Sequence, residues 1–289
     1  MHLAPALGHH QLARLSPVHI QAYYSQALVS GRRHGEGGLS ARTVLHHHRV
    51  LREALQQAVR WQLLARNPAD AVEPPRPERR EMKALDADDT RRLLAAAEDS
   101  RLYTPILLAV TTGMRRGEIL GLLWQDVDLN AATATVCRSL QQVRGKVSFK
   151  QPKTARSRRL VTLPALAVDA LIRHKARQAE IRLQLGPAYD DHGLVVANPD
   201  GMPMSPGAFT HAFILLAKKA GRPRLRFHDL RHGHASQLGR LNVPVKVISE
   251  RLGHSSVAIT LDLYSHVLPG MQEDAARKID AALRAGTEG

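Results

Sequence analysis

The sequence predicts a two-domain protein: a small helical domain, then a larger α+β domain that is mainly α with a small antiparallel sheet. Three observations carry this expectation. A length of 289 residues suits two domains better than one. The stretch 73-EPPRPERRE-81 breaks the apolar patterning with three prolines and alternating charge, and reads as an extended linker. From Thr133 to Leu163 the apolar period shifts toward two, with β-branched residues and a turn at Gly145. The expected domains are therefore 1–72 and 82–289, joined by 73–81.

In the first domain, 16-SPVHIQAYYSQALVSG-31 opens with a Ser N-cap and a Pro at the first helical position and ends in Gly. Ile20, Tyr24, Ala27 and Leu28 share one face of that helix. Ser40 caps a longer helix on which Val44, Leu51, Leu55 and Val59 recur at helical spacing until 67-NP-68. In the second domain Asp86 caps a helix with an acidic first turn, as the helix dipole prefers. The apolar helix 103-YTPILLAVTTG-113 follows, then 114-MRRGEILGLLW-124. The alternating region 133–163 predicts an antiparallel hairpin or three strands. Helices are expected at 164–185 and 206–220, separated by a short strand and turn at 194–203. Further helices are expected at 228–240, 244–252, 257–265 and about 270–284.

The charge balance narrows the partner. Lys and Arg number 41 against 26 Asp and Glu, a net charge of +15 that favours polyanions, nucleic acid first. The surplus is clustered. Arg138–Arg159 holds eight basic residues and no acidic one, and Lys218–Arg231 holds six against one. A single cysteine, Cys137, excludes an intramolecular disulfide and a thiolate-rich metal site. The first residues, MHLAPALGHH, lack the charged and apolar regions of a signal peptide, and the longest apolar run, 105-PILLAV-110, is too short to span a bilayer. A soluble, cytoplasmic protein with no membrane partner is expected.

Several motifs carry side chains suited to phosphate chemistry. These are 112-TGMRRGEIL-120, Lys153 within 150-KQPKTARSRRLVTLP-164, 228-HDLRHGHA-235, and 252-LGH-254 with 264-YSH-266. His228 and Arg231 are three apart and so share a helix face. In this order the motifs resemble the tyrosine recombinases, the phage-integrase family of DNA strand-exchange enzymes. The resemblance runs from about residue 4 to the C-terminus and rests on T-G-x-R-x-x-E, K-T-x-x-S-x-R, H-x-L-R-H, L-G-H and Y-S-H. It implies a helical core-binding domain followed by a tyrosine-recombinase catalytic domain. It also implies a catalytic set of Arg115, Lys153, His228, Arg231, His254 and Tyr264, with Tyr264 the nucleophile. The implied activity is site-specific DNA recombination through a 3′-phosphotyrosine intermediate. The implied partners are double-stranded DNA at attachment sites and a homotetramer on paired sites, and an accessory directionality factor is a possible further one.

The residue chemistry fits that set. Two guanidiniums can each hold non-bridging phosphate oxygens bidentately, which favours Arg over Lys at 115 and 231. A tyrosyl phosphate ester can be attacked again by a DNA hydroxyl, so the covalent step is reversible without an external energy source. Lys153 can protonate the leaving 5′-oxygen, His228 can take the phenolic proton, and His254 can donate to a phosphoryl oxygen. With these cations no divalent metal or other cofactor is expected. The rival is a catalytically silent DNA-binding protein of the same fold, disfavoured because every catalytic position is filled.

Other side chains draw blander expectations. Arg116 points about 100° from Arg115 and is expected to be solvated or on the DNA backbone. Glu118 is expected to orient an arginine or cap structure, and His232 to be a structural neighbour. Tyr23, Tyr24, Tyr103, Tyr189, Trp61 and Trp124 are assigned to packing, and His46–His48 to a solvated or DNA-facing surface. The two-His spacing of 228-HDLRH-232 matches a helical zinc motif, but Arg231 beside a dication disfavours it. On Ala275, Ile279 and Leu283 the last helix has one apolar face, free to pack on its own domain or a neighbour. In relatives the residues like 4–21 follow an opening helical segment. A shortened first domain is therefore expected, with the Ile20/Tyr24/Leu28 and Val44–Val59 faces partly uncovered.

Overall fold

The computed structural model describes residues 2–32, 35–78, 85–150, 158–264, 276–277, 279–281 and 283–284, with side chains to residue 261 in the longest stretch. The chain divides into two compact units, Met1–Met82 and Lys83–Gly289. Residues 73–78, in the proline-rich stretch, have no regular secondary structure.

The first unit contains α1 (Leu3–Leu7), α2 (Pro17–Ser30), α3 (Ala41–Arg60) and a 3-10 turn at Pro68–Ala71. Pro17 presets the first helical φ of α2, and the Ser40 hydroxyl accepts from the Thr43 N–H at 3.2 Å to start α3. Ile20, Tyr24 and Ala27 pack with Val44 and Leu55. Leu7, Ala69 and Val72 complete this core, with Leu3, Ala6, Leu15 and Leu51 at its margin. The uncovered faces expected from the sequence are thus largely covered, by α1 and by the segment after α3. Leu28 departs from its expected face and is exposed.

Two further expectations are corrected in this unit. Trp61 is 68% exposed, because it is the C-cap of α3 and lies past the last turn that faces the core. His48 is buried, since it sits one turn after Val44 on the same stripe, and its Nδ1 meets the Tyr24 hydroxyl at 3.0 Å. His47 meets the Tyr23 hydroxyl at 2.8 Å. His46 is exposed and His47 half-buried.

The second unit is mainly helical with small antiparallel sheets, as expected. It opens with α4 (Ala87–Ala97), where the Asp86 carboxylate accepts from the Asp89 N–H at 2.7 Å. The apolar α5 (Tyr103–Thr112) is buried on nearly every side and packs on α4, α7 (Ala165–Leu185) and α9 (Phe227–Arg240). Between α5 and α7 the described residues form α6 (Arg116–Leu120) and five short strands. Strands β1 (Val127–Asp128), β2 (Thr133–Val136) and β5 (Arg159–Thr162) form one antiparallel sheet in that order, with Val136 opposite Arg159. Strands β3 (Ser139–Val143) and β4 (Lys146–Lys150) form a separate hairpin. Its turn puts Arg144 and Gly145 both at positive φ, the geometry a two-residue hairpin loop needs.

The single hairpin or three-stranded set expected over 133–163 is therefore two sheets. The strand expected in 194–203 reduces to isolated bridges, Leu123 to Leu194 and Ala197 to Pro203. The tight turn at Asn198–Met202 leaves no length for a ladder. Helices α8 (Pro206–Lys219), α10 (Val245–Leu252) and α11 (Val257–Tyr264) follow, and α9, α10 and α11 pack on one another. Ile279 and Leu283 of the last expected helix are exposed, and Ala275 lies outside the described residues. No helix among the described residues is long and apolar enough to cross a membrane.

Candidate active site

Helices α5 and α10 both end in a left-handed glycine, and their carbonyl ends meet at one side chain. Gly113 has φ 68°, and a Cβ there would lie 2.5 Å from Leu252 Cδ2 and 2.7 Å from His234 Cδ2. Gly253 has φ 64°, and a Cβ there would lie 3.0 Å from an Arg159 guanidinium nitrogen. Both positions need glycine for conformation and for space. Arg231, carried by α9 and only 3% exposed, donates to the Gly113 carbonyl at 2.7 Å and the Leu252 carbonyl at 2.5 Å. Two helix C-termini, each with partial negative charge, thus hold a guanidinium that has no carboxylate partner among the described residues. Burial, then the nearby Arg115 cation, pulls Arg231 down to about 9, so it remains charged at neutral pH.

Arg115 is the N-cap of α6. Its backbone N–H donates to Glu118 at 2.9 Å, and its guanidinium donates to the same carboxylate at 2.8 Å and to the Gly253 carbonyl at 3.3 Å. Arg159, from the start of β5, approaches Glu118 from the other side with contacts of 2.7 and 3.1 Å. Burial pushes the Glu118 carboxyl up, but hydrogen bonds and charge from Arg159 and Arg115 outweigh it and hold the group at about 2. Glu118 therefore both orients arginines and caps a helix. Arg116 instead donates to the Thr210 hydroxyl of α8, a contact within the protein.

Histidines surround these cations. His254 follows Gly253, and its Nδ1 lies 2.8 Å from the Thr260 hydroxyl of α11. Burial, then Arg231 and Arg115, lowers His254 to about 4. His228 is lowered by desolvation and then by the same two arginines. Its ring packs edge-to-face on His232, with centroids 4.7 Å apart. His232 is lowered to about 4 by burial and then by His228, and its buried Nδ1 has no hydrogen-bond partner among the described residues. The described residues contain no group of three His, Cys, Asp or Glu able to hold a metal ion.

A staple closes the site from behind. Arg251 donates to the Thr111 carbonyl at 3.0 Å, the Thr162 carbonyl at 3.1 Å and His234 Nε2 at 3.2 Å. Its own carbonyl accepts from Arg159 Nε at 2.8 Å. Arginine can only donate, so His234 Nε2 is the acceptor and its Nδ1–H donates to the Val110 carbonyl at 3.0 Å. Burial, then Arg251, holds His234 at about 4, consistent with the neutral tautomer this geometry requires.

Of the six residues singled out from sequence, the structure brings together Arg115, His228, Arg231 and His254. Lys153 lies outside the described residues, and Tyr264 ends α11 with its side chain outside them. The sequence reading did not single out Arg159, His234, Arg251 or Thr260. Arg159 stands at the end of a quoted motif, which is a usable signal. Arg251 reads locally as a solvated arginine on a short helix, and nothing in its neighbourhood marks it.

Residues 83–270 match the sequence model of the phage integrase family. The chain belongs to this family. Among similar proteins, this family member is 30% identical over 288 residues to a tyrosine recombinase XerC-like protein of Caldanaerobacter subterraneus, covering 93% of this chain and 72% of that one. It is 30% identical over 267 residues to the ICEBs1 integrase of Bacillus subtilis, covering 91% and 72%. Among solved structures, the Tn1549 transposon integrase in complex with a circular intermediate DNA gives a TM-score of 0.76 at 18% identity, covering 92% of this chain and 86% of that one. A lambda integrase dimer bound to a core site gives 0.64 at 19%, covering 90% and 83%. These likenesses support the fold of this integrase-family chain.

Proposed function

We propose that this chain is a site-specific DNA recombinase that cleaves and rejoins strands through a 3′-phosphotyrosine on Tyr264. The observation that carries the reading is the charge of the site. Among the described residues, Arg115, Arg159 and Arg231 bring three positive charges against the single carboxylate of Glu118, and Arg231 is held only by carbonyls. A surplus of two charges, partly desolvated, complements a pentavalent phosphoryl transition state far better than a neutral ligand. Arg115 and Arg231 hold the non-bridging oxygens. The Tyr264 oxygen attacks phosphorus while His228, kept neutral by its surroundings, accepts the phenolic proton. The bond to the 5′-oxygen breaks, and that oxygen takes a proton from Lys153. Attack by the 5′-hydroxyl of a partner strand reverses each transfer and releases Tyr264. His254 donates to a phosphoryl oxygen throughout.

On this reading the substrate is double-stranded DNA at attachment sites, and the working assembly is a tetramer on two paired sites. The exposed Ile279 and Leu283 then suit a contact between protomers. Nicked suicide duplexes carrying the repeats that flank the integrated element provide the test. The wild-type chain should give a denaturation-resistant adduct with a free 5′-hydroxyl, and Tyr264→Phe should bind DNA without one. An adduct at wild-type level in Tyr264→Phe would move the nucleophile elsewhere. Binding without any adduct in the wild type would leave the chain a silent DNA-binding protein.

A further inference from the structure

We propose that Thr260 is a positioning residue whose buried hydroxyl donates to His254 Nδ1, fixing the imidazole with its proton on Nε2 and aiming a donor at the phosphate. The inference rests on the recombinase reading above and adds a residue to it.

The first observation is where the hydroxyl goes. Threonines in helices commonly return their hydroxyl proton to the carbonyl four residues back, and four among the described residues do so. Thr90 donates to Asp86, Thr111 to Leu107, Thr112 to Leu108 and Thr210 to Pro206, at 2.8, 2.6, 2.5 and 2.8 Å. Thr260 is fully buried on α11, yet its hydroxyl is paired across a loop with His254 at 2.8 Å. Among the described residues that ring nitrogen is its hydrogen-bonding partner. If Nδ1 carried the proton, the hydroxyl proton would be left buried without an acceptor, which is the costlier arrangement.

The second observation is that the ring has little freedom otherwise. The His254 N–H is tied to the Ser249 carbonyl at 3.0 Å, directly after the left-handed Gly253. Arg231 and Arg115 nearby disfavour an imidazolium, so one nitrogen carries the proton and the other does not. Facing two guanidiniums with no ligand bound, an imidazole left to itself would turn a lone pair toward them. That lone pair would oppose a phosphoryl oxygen. A donor at Nδ1 removes the choice before DNA arrives, which is pre-organisation of a transition-state contact. Thr260 also stands one helical turn before Tyr264 on α11, so the same helix sets the histidine tautomer and carries the tyrosine backbone.

The test has two arms on the full chain. In the first, histidine ¹⁵N labelling and long-range ¹H–¹⁵N correlation read the His254 tautomer without DNA. Nδ1 should be the unprotonated nitrogen in wild type and Thr260→Ser, and Thr260→Val should show a mixed or reversed tautomer. A protonated Nδ1 in wild type would overturn the proposal even if Thr260→Val fails to fold. In the second arm, adduct formation is timed on saturating suicide duplex. Thr260→Val should slow it by roughly 10-fold or more with DNA affinity unchanged, less than the ~10²–10³ of deleting a donor outright. Thr260→Ser should stay near wild type. An unchanged rate and tautomer in Thr260→Val would refute the positioning role. A wild-type chain that forms no adduct would sink the recombinase reading, while the tautomer arm would still report on the Thr260–His254 pair.

Discussion

Replacing Glu118 with Gln tests whether one carboxylate holds the site together. Glu118 is 8% exposed and receives Arg115 from one side and Arg159 from the other. A carboxyl held at about 2 in the folded chain, against an ordinary 4.5, stabilises the fold by ~3 kcal/mol at neutral pH, counting about 1.4 kcal/mol per pH unit. Breaking a buried ion pair by removing one partner costs about 3–5 kcal/mol, which agrees. The sign follows from the lowered value: the contribution is complete above 4.5 and is lost as pH falls toward 2. Glu118→Gln should therefore lower stability by ~3 kcal/mol at pH 7, with the difference shrinking in acid. Urea unfolding can be followed at Trp124 in a Trp61→Phe background, since Trp61 is exposed and belongs to the other unit. With a slope of about 2 kcal/mol/M the midpoint should move by roughly 1.5 M. A loss below about 1 kcal/mol at pH 7, or one that does not diminish in acid, would refute the account of Glu118 as the anchor of both arginines.

Three further outcomes follow from the same geometry. Arg115→Lys should lose roughly 10²–10³-fold in cleavage rate, because a lysine cannot hold Glu118 and the Gly253 carbonyl with one planar fork. Arg116→Lys should lose much less, and the reverse order in a single-turnover assay would overturn the choice between them. His234 refuses a proton until about pH 4 while the unfolded chain accepts one near 6.5, so stability should fall as pH falls across that window, by up to ~3 kcal/mol. An NMR titration placing His234 above pH 6 would contradict this. Strand cleavage should persist in excess EDTA, because the arginines and Lys153 supply the positive charge, and DNA binding should weaken steeply with salt. Loss of cleavage on chelation with recovery on added zinc would reopen the 228-HDLRH-232 metal reading.

What was legible locally were features set by a few neighbouring residues. Ser40 and Asp86 cap helices because their side chains accept from an N–H three residues on. Val44 and Leu55 face a core because helical spacing puts them on one stripe. Glu118 is expected from sequence to orient an arginine or cap structure, and it does both for Arg115, three residues before it. Where the local signal was ambiguous, the expectation strayed. Trp61 looked like core but sits past the last buried turn, and His48 looked solvated but shares the stripe of Val44. The alternating region 133–163 could not show that its strands divide into two sheets, since alternation marks a strand and not its partner.

The sequence by itself determined the family motifs, the helices that carry them and the excess of positive charge, because each follows from residue type and short-range spacing. Only the tertiary structure decided how those charges are held. Arg231 reaches Gly113 across 118 residues, Arg115 reaches Gly253 across 138, and Arg251 reaches Thr111 across 140. No periodicity links positions so far apart. Their pairing is fixed by two helices ending in left-handed glycines beside a third, and by the rule that a buried donor must find an acceptor wherever the chain happens to bring one.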